Sequence, residues 1–293
     1  MDSVLVLIAA PGSHAIDAEI AKTVEDLTGT APLWLAEGEA LELIVPQSFA
    51  GVTDLEDMFK ARPIDVALVP ARNRRKRLLL ADMDSTMIDQ ECVDELGVVA
   101  GLGAEISAIT ARAMAGELDF EGALRERVAL LAGLDEATIT EVIANRITFK
   151  PGSATLLATM KANGAHTALV SGGFLQFTRY VTQSLGFHEH HGNELIVERG
   201  RLLGKVCEPI LGRNAKLALL QTTTARLGLT LDDAITVGDG ANDIPMLKAA
   251  GIGVAFHAKP KVQAEVTIRI NHGDLTAALY LQGYRRNAFV AAI

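Results

Sequence analysis

The stretch Arg77-Leu78-Leu79-Leu80-Ala81-Asp82-Met83-Asp84-Ser85-Thr86 decides the fold, because a compact apolar run ends there in two carboxylates. Four apolar residues in a row, bounded by charge, predict a strand that is buried on both faces, as in a parallel sheet. In an open α/β sheet, ligands bind at the carboxyl ends of the strands. We therefore expect Asp82 and Asp84 to lie at the mouth of a site.

This pair of carboxylates indicates a particular chemistry. Asp82 and Asp84 are separated by one residue and repel each other unless a cation lies between them, and such hard oxygen ligands suit Mg²⁺. One of the two can attack a phosphorus centre and form an aspartyl-phosphate, while the other handles the proton of the leaving group. The alternative is that the acids and Thr86 form a turn and cap the next helix.

Three further motifs appear in order along the chain. Ser171-Gly172-Gly173 follows a predicted strand at 167–170 and offers a hydroxyl and backbone N–H groups that can hold a phosphate. Lys216 lies early in a predicted helix. Gly238-Asp239-Gly240-Ala241-Asn242-Asp243 follows a predicted strand at 234–237, so that its acids can approach an ion held by Asp82.

Together with Asp82 to Thr86, these motifs resemble the haloacid dehalogenase superfamily of phosphotransferases. Ser85, the sequence Ser-Gly-Gly-Phe at 171–174 and the sequence Gly-Asp-Gly-Ala-Asn-Asp at 238–243 are similar to its phosphoserine phosphatase family. The resemblance covers about residues 77 to 270. It implies a Mg²⁺-dependent phosphatase that hydrolyses O-phospho-L-serine through an aspartyl-phosphate, the last step of serine biosynthesis.

The same resemblance implies a role for each matching residue. Asp82 is the implied nucleophile, and Asp84 is the acid that later acts as a base. The implied metal ligands are Asp82, Asp84 through its backbone carbonyl, Asp239 and Asp243. The implied substrate-binding residues are Glu91, Met114, Phe120, Arg127, Ser171, Gly172, Lys216 and Asn242.

A long helical insertion separates the first two predicted core strands. From Glu105 to Asn145 the apolar residues recur at helical spacing, and we place a cap that closes over the site at about residues 94–150. Glu91 is expected in the first turns of a helix that Gly97 ends. The alternatives are that Met114 and Phe120 pack in the core and that Arg127 forms a surface ion pair of little energetic value.

Residues 1–71 predict a separate small domain. Strands at 4–10, 33–37, 41–45 and 65–69, with helices at 15–28 and 54–61, give the order βαββαβ of a ferredoxin-like fold. This order resembles an ACT domain, which accompanies several enzymes of amino-acid metabolism. It predicts a homodimer formed through this domain and a bound amino acid; the alternative is a dimerisation or packing module without a ligand.

The predicted fold class is therefore α/β: a Rossmann-like open parallel sheet at 72–293 with a helical cap, preceded by a small α+β domain. The basic run Arg72–Arg77 is interpreted as a solvated linker between the two domains, and His188–His191 as a surface loop.

Composition restricts the partners and the location. A chain of 293 residues with 49% hydrophobic and 22% charged residues predicts a globular protein with a substantial core. A formal charge of −9 disfavours nucleic acid as a partner. The apolar run Val4–Ala10 lacks a basic flank and no run reaches membrane-spanning length, so we expect no membrane association. Two distant cysteines, Cys92 and Cys207, favour the cytoplasm.

Two other functions stay open from the sequence. The chain can be a related phosphatase that acts on another small phosphate ester, or a phosphotransferase that uses an alcohol instead of water. It can also be an amino-acid-sensing protein whose catalytic core is vestigial.

Overall fold

The computed structural model describes residues 2–114 and 117–291, without the side chains of Met114 and Arg213. The strands are β1 (Asp2–Ala9), β2 (Leu33–Ala36), β3 (Ala40–Pro46), β4 (Ile64–Pro70), β5 (Leu78–Ala81), β6 (His166–Phe174), β7 (Glu189–Asn193), β8 (Leu195–Glu198), β9 (Arg201–Val206), β10 (Ala234–Gly238), β11 (Ile252–Phe256) and β12 (Ile268–Ile270). The helices are α1 (Ala18–Thr28), α2 (Val52–Phe59), α3 (Cys92–Val99), α4 (Gly103–Met114), α5 (Phe120–Leu130), α6 (Ala137–Arg146), α7 (Ser153–Ala162), α8 (Leu175–Leu185), α9 (Arg213–Arg226), α10 (Ile244–Ala249), α11 (Pro260–Glu265) and α12 (Ala277–Leu281).

A parallel sheet forms the centre of the molecule. Within the described ranges its strand order is β12-β11-β10-β5-β6-β7, and every neighbouring pair is parallel. Leu78 and Leu80 of β5 pack into the apolar layer on one face, whereas Leu79 and Ala81 pack into the layer on the other. All four side chains are buried, as the apolar run before Asp82 predicts.

The N-terminal segment forms an antiparallel sheet of its own. Its strand order is β2-β3-β1-β4, and α1 and α2 cover one face, where Leu5, Leu7 and Leu43 belong to a separate apolar cluster. Val6 on the opposite face belongs to the same apolar cluster as Tyr280 of α12. The predicted fold class, a parallel α/β core with a small α+β unit before it, is confirmed.

In the sequence, helices α3 to α6 come after β5 and before β6. In the fold, this insertion is hydrogen-bonded to the hairpin β8–β9. Backbone hydrogen bonds run from Gly133 N to Leu202 O (2.8 Å), from Leu202 N to Leu134 O (2.9 Å) and from Glu136 N to Gly200 O (2.8 Å). The hairpin thus extends the helical insertion, an association that the sequence analysis does not anticipate.

The expected end of the first insertion helix is wrong, because α3 continues through Gly97 to Val99. A Cβ on Gly97 would lie 2.4 Å from Ile106 Cδ1, so the glycine permits close packing against α4. The start of this helix also differs from the prediction. Cys92 N donates a hydrogen bond to Asp84 Oδ1 (2.8 Å), and Glu91 is the residue that precedes the helix.

Two expected surface segments are more ordered than predicted. His188–His191 is not a surface loop, because residues from Glu189 onward form the edge strand β7, paired with β6. The basic linker is not fully solvated: Lys76 is buried and its Nζ donates to Asp232 O (2.6 Å). In both segments, hydrogen bonds to sequence-distant residues hold the chain in place: the Lys76 Nζ bond in one and the backbone pairing with β6 in the other.

In the part of the chain that the structure describes, every helix is too short or too polar to cross a membrane.

Candidate active site

The three motif-bearing strands lie side by side, so that their carboxyl ends meet. β5 lies between β6 and β10 and pairs with both in parallel. Asp82 and Asp84 follow β5, Ser171 lies in the last part of β6, and Asp239 follows β10. Residues that are more than 150 positions apart in sequence are thereby brought to one edge of the sheet, where α/β folds bind ligands.

A compact group of acids lies at this edge. Among the described residues, Asp82, Asp239 and Asp243 each offer a carboxylate oxygen within 4.8 Å of the others, and all three side chains are buried. Lys216 Nζ lies 2.7 Å from Asp82 Oδ1 and 2.5 Å from Asp243 Oδ1. Thr86 Oγ1 donates to Asp239 Oδ1 at 3.1 Å.

The electrostatics of this group leave excess negative charge. Burial and the nearby Asp243 carboxylate raise the pKa of Asp82 well above its usual range. Burial also raises the pKa of Asp239 to about 6, although Lys259 opposes the shift. Burial disfavours the charge on Lys216, but Asp243 and Asp82 outweigh it and raise its pKa. Lys216 is therefore a fixed cation.

The donor set fits a hard divalent cation. Among the described side chains, three buried carboxylates face one fully buried ammonium, that of Lys216, so a dication would reduce the remaining repulsion. Carboxylate oxygens are the ligands that Mg²⁺ prefers. The Asp84 carboxylate lies outside this group, and the predicted contribution of that residue is through its backbone carbonyl.

Asp84 is held beside the acid group by neutral donors. Its Oδ1 accepts from Cys92 N (2.8 Å) and its Oδ2 from Ser171 Oγ (2.8 Å). Burial and the Glu91 carboxylate raise its pKa, which favours a carboxyl group that can carry a proton. Ser85, the next residue, has a φ of 56°, an uncommon conformation outside glycine that directs the chain away from the strand.

A cavity of about 350 Å³ lies between these strand ends and the helical insertion. Predicted site residues that line it are Asp82, Asp84, Glu91, Phe120, Arg127, Ser171, Gly172, Asp239 and Asn242. Lys216 and Asp243 are fully buried behind Asp82. Met114 ends α4, and its predicted side-chain contact lies outside the described residues.

A carboxylate from Glu91, just before the insertion, and a guanidinium and an aromatic ring from the insertion itself line this cavity. Glu91 Oε1 accepts hydrogen bonds from Ser85 Oγ (3.0 Å) and Lys259 Nζ (3.4 Å). Arg127 Nε donates to Ala123 O (3.2 Å). A Cβ on Gly172 would lie 2.5 Å from Phe120 Cζ, so the glycine at this position allows the ring to approach the strand end.

Lys259 is a site residue that the sequence analysis missed. Its side chain is half-exposed, and its Nζ lies 3.3 Å from Asp239 Oδ2 and 3.4 Å from Glu91 Oε1. Partial burial disfavours its charge, but Glu91 and Asp239 outweigh that effect and raise its pKa to about 12. The available signal was its position three residues after β11, a further core strand with its carboxyl end at the same edge.

Comparison with known proteins gives consistent results. A family model for haloacid dehalogenase-like hydrolases matches residues 79–248. A curated phosphoserine phosphatase of Streptomyces coelicolor is 42% identical over 231 residues, which make up 78% of this chain and 56% of that protein. The chain thus spans just over half the length of this relative.

Solved structures extend the comparison to the fold. The HAD family hydrolase t0658 from Salmonella enterica serovar Typhi is 29% identical, with a TM-score of 0.86 over 96% of this chain and 98% of that one. A phosphoserine phosphatase solved as a phospho-aspartyl intermediate analogue is 39% identical, with a TM-score of 0.66 over 70% of this chain and 98% of that one. The first similarity includes the N-terminal sheet, since it covers almost the whole chain.

Proposed function

Because this chain belongs to the haloacid dehalogenase-like hydrolases, we propose that it is a phosphoserine phosphatase, which hydrolyses O-phospho-L-serine to L-serine and phosphate. One observation carries the proposal. The acid pair after β5 shares a cavity with Ser171 and Asp239. The same cavity is lined by the Glu91 carboxylate, which can meet an ammonium, and by the Arg127 guanidinium of the insertion, which can meet a carboxylate.

We assign the attack on phosphorus to Asp82. Its Oδ1 accepts from Met83 N (2.8 Å) and lies 2.7 Å from Lys216 Nζ. Both interactions hold one oxygen and fix the orientation of the carboxylate, so we assign Oδ2 as the oxygen that bonds to phosphorus. The serine oxygen leaves as the phosphorus–oxygen bond breaks, and the phosphoryl group remains on Asp82.

We assign the proton transfers to Asp84. Its raised pKa favours the protonated carboxyl group that donates to the departing serine oxygen. The resulting carboxylate then takes a proton from the water that hydrolyses the aspartyl-phosphate. The bonds from Cys92 N and Ser171 Oγ keep this carboxyl group in place throughout.

Positive charge and neutral donors hold the phosphoryl oxygens. We propose that Ser171 Oγ, Gly172 N–H, Lys216 and Asn242 bind them, as the family resemblance implies. We propose further that Asp82, the backbone carbonyl of Asp84, Asp239 and Asp243 hold Mg²⁺. When bound, the ion supplies positive charge that offsets the carboxylates and the phosphoryl group.

The amino-acid part of the substrate is proposed to meet the insertion. Glu91 would accept from the ammonium and Arg127 would bind the carboxylate, a pairing that can be bidentate. Phe120 lies against Gly172 and limits the width of the cavity beside the phosphoryl site. Closure of the cap would remove water and strengthen both charged contacts.

The experiment that tests the proposed function is a phosphate-release screen of the purified chain over small phosphate esters, with Mg²⁺ or with EDTA. We expect O-phospho-L-serine to have the highest kcat/KM, and EDTA to abolish turnover. Faster turnover of a different ester, or phosphate transfer to an added alcohol, would favour a related enzyme of the superfamily. No release from any ester by a folded chain would favour a sensing protein with a vestigial core.

We also propose that the chain consists of two domains, residues 1–71 and residues 72–293, and that the second contains a cap at about 94–150. The separate antiparallel sheet and its own apolar cluster support the division. A cytoplasmic location and an amino-acid ligand of the N-terminal domain, both predicted from the sequence, remain proposals.

A homodimer through the N-terminal domain is part of the same proposal. The face of its sheet opposite α1 and α2 largely packs on the rest of the chain. At the outer edge of this sheet, however, Leu33 of β2 is 44% exposed and Ile44 of the neighbouring β3 is 61% exposed. Light scattering of the intact chain and of Ile44→Lys tests it. We expect twice the monomer mass for the wild type and the monomer mass for the variant; a wild-type monomer would contradict the proposal.

A further inference from the structure

The half of the cavity that faces the helical insertion contains buried polar atoms without partners. Of the described residues, six have a buried side-chain nitrogen or oxygen that makes no hydrogen bond. Two of these atoms, Asp94 Oδ1 and Thr110 Oγ1, belong to residues that line the cavity. Buried polar groups in native proteins are nearly always paired, so a ligand that supplies the missing partners is expected here.

Thr110 lies on α4 and departs from the usual behaviour of a helical threonine. Such hydroxyls commonly donate to the carbonyl one turn earlier, as Thr23, Thr28 and Thr224 do in this chain. Thr110 Oγ1 has no such bond, although it is buried. Its hydroxyl is therefore available as a donor to a group inside the cavity.

Asp94 lies on α3, three residues after Glu91, and both line the cavity. Glu91 Oε1 already accepts from Ser85 and Lys259, whereas Asp94 Oδ1 accepts from no group. Arg127 attracts Asp94 electrostatically but donates no hydrogen bond to Oδ1. The Asp94 carboxylate and the Arg127 guanidinium thus face the same cavity without forming a direct ion pair.

We propose that Asp94 and Thr110 complete the recognition of the amino-acid part of the substrate. Asp94 Oδ1 accepts a hydrogen bond from the ammonium beside Glu91, and the Thr110 hydroxyl donates to the carboxylate beside Arg127. An ammonium has three N–H donors, and Glu91 is already engaged through one oxygen, so a second acceptor is needed. This inference rests on the proposed phosphoserine phosphatase activity.

The test crosses two variants with four phosphate esters. O-phospho-L-serine carries both groups, phosphoethanolamine carries the ammonium, 3-phosphoglycerate carries the carboxylate, and an aryl phosphate carries neither. For each, kcat/KM is measured, or an inhibition constant where turnover is too slow. We expect Asp94→Asn to lower kcat/KM for the two ammonium-bearing esters by about tenfold, mainly by raising KM. For the other two esters we expect kcat/KM to fall by about twofold or less. We expect Thr110→Val to lower kcat/KM for the two carboxylate-bearing esters by about tenfold and to leave kcat/KM for the other two unchanged.

Matched controls are available on the same insertion. Glu105→Gln removes the same charge from an exposed position of α4, and Thr140→Val makes the same change at an exposed position of α6. Neither residue lines the cavity, so both variants should keep wild-type selectivity. If Asp94→Asn does not fold, as judged by circular dichroism, Asp94→Ser takes its place in the same assay.

Each outcome separates this inference from the proposed function. In one set of outcomes, the wild-type chain hydrolyses O-phospho-L-serine. If the variants then lose kcat/KM equally on all four esters, or lose none on O-phospho-L-serine, the roles of Asp94 and Thr110 are overturned and the proposed function stays intact. A wild-type chain that does not hydrolyse O-phospho-L-serine would overturn both. Losses that follow the ammonium for one variant and the carboxylate for the other support the inference.

Discussion

Replacement of Lys216 by Met should destabilise the protein far more than replacement of a surface lysine. Lys216 is 1% exposed, and its Nζ contacts Asp82 at 2.7 Å and Asp243 at 2.5 Å. Methionine has a similar length and packs in irregular apolar spaces, so the main effect is the loss of charge. The buried carboxylates then face one another without their cation.

The size of the effect follows from this burial. Removing one partner of a buried ion pair typically costs about 3–5 kcal/mol, because the remaining charge is left uncompensated. Total stabilities of domains are about 5–15 kcal/mol, so the loss is a large fraction of the whole. Lys248 provides the matched control: its Nζ also lies 2.7 Å from a carboxylate, that of Glu265, but the two side chains are 50% and 37% exposed. Lys248→Met should cost about 0–1 kcal/mol.

The assay is urea unfolding of the wild type and both variants in EDTA at pH 7.5 and pH 5.5. The pKa of Asp82 is raised in the folded state, so its carboxyl group binds a proton more readily there than in the unfolded chain. The folded state therefore gains stability as the pH falls, and this gain is lost as the pH rises through the folded-state pKa. Without the Lys216 ammonium, the pKa of Asp82 rises further. The difference in the free energy of unfolding between the wild type and Lys216→Met should therefore be smaller at pH 5.5 than at pH 7.5.

Added Mg²⁺ gives a second readout in the same experiment. An ion that binds the folded state at a concentration one hundred times its Kd stabilises it by about 2.7 kcal/mol. Because Lys216→Met leaves more negative charge for the ion to offset, Mg²⁺ should recover part of its deficit. The reasoning is refuted if Lys216→Met loses no more stability than Lys248→Met, or if its deficit is the same at both pH values.

The remaining predictions concern catalysis and ion binding. Asp82→Asn should abolish phosphate release without unfolding the protein, because an amide keeps the shape of the side chain but is a poor nucleophile; turnover within about tenfold of the wild type would contradict its assignment. Asp84→Asn should be nearly as damaging, and a phospho-enzyme that accumulates in acid-quenched samples would support its role in activating water. Glu91→Gln and Arg127→Ala should each lower kcat/KM for O-phospho-L-serine by about 10²-fold or more and affect an aryl phosphate much less, whereas equal losses on both substrates would indicate a structural role. Since burial raises the pKa of Asp239 to about 6, protons should compete with Mg²⁺ below that pH, and a calorimetric Kd that stays constant from pH 7 to pH 5 would argue against Asp239 as a ligand.

The sequence by itself determined the elements that depend on local pattern. The apolar run before Asp82 must be buried on both faces, which requires a sheet covered on both sides, and the structure has that sheet. Motifs that follow apolar strands converge at one edge because parallel strands end there. The sequence alone therefore predicts that four residues lie together: Asp82, Asp84, Ser171 and Asp239.

The tertiary structure decided which residues are buried, paired or left without a partner. Lys259 reaches Glu91 across 168 positions of sequence, and no local pattern records that distance. His188–His191 carries a polar sequence typical of a loop, yet residues from Glu189 onward pair with β6, because an edge strand tolerates polar side chains when its backbone is hydrogen-bonded. Asp94 and Thr110 are ordinary helix residues in the sequence, and their lack of partners arises where three helices and three strand ends enclose one cavity. Such features depend on long-range packing, since burial and hydrogen-bond satisfaction are properties of the assembled fold rather than of any segment.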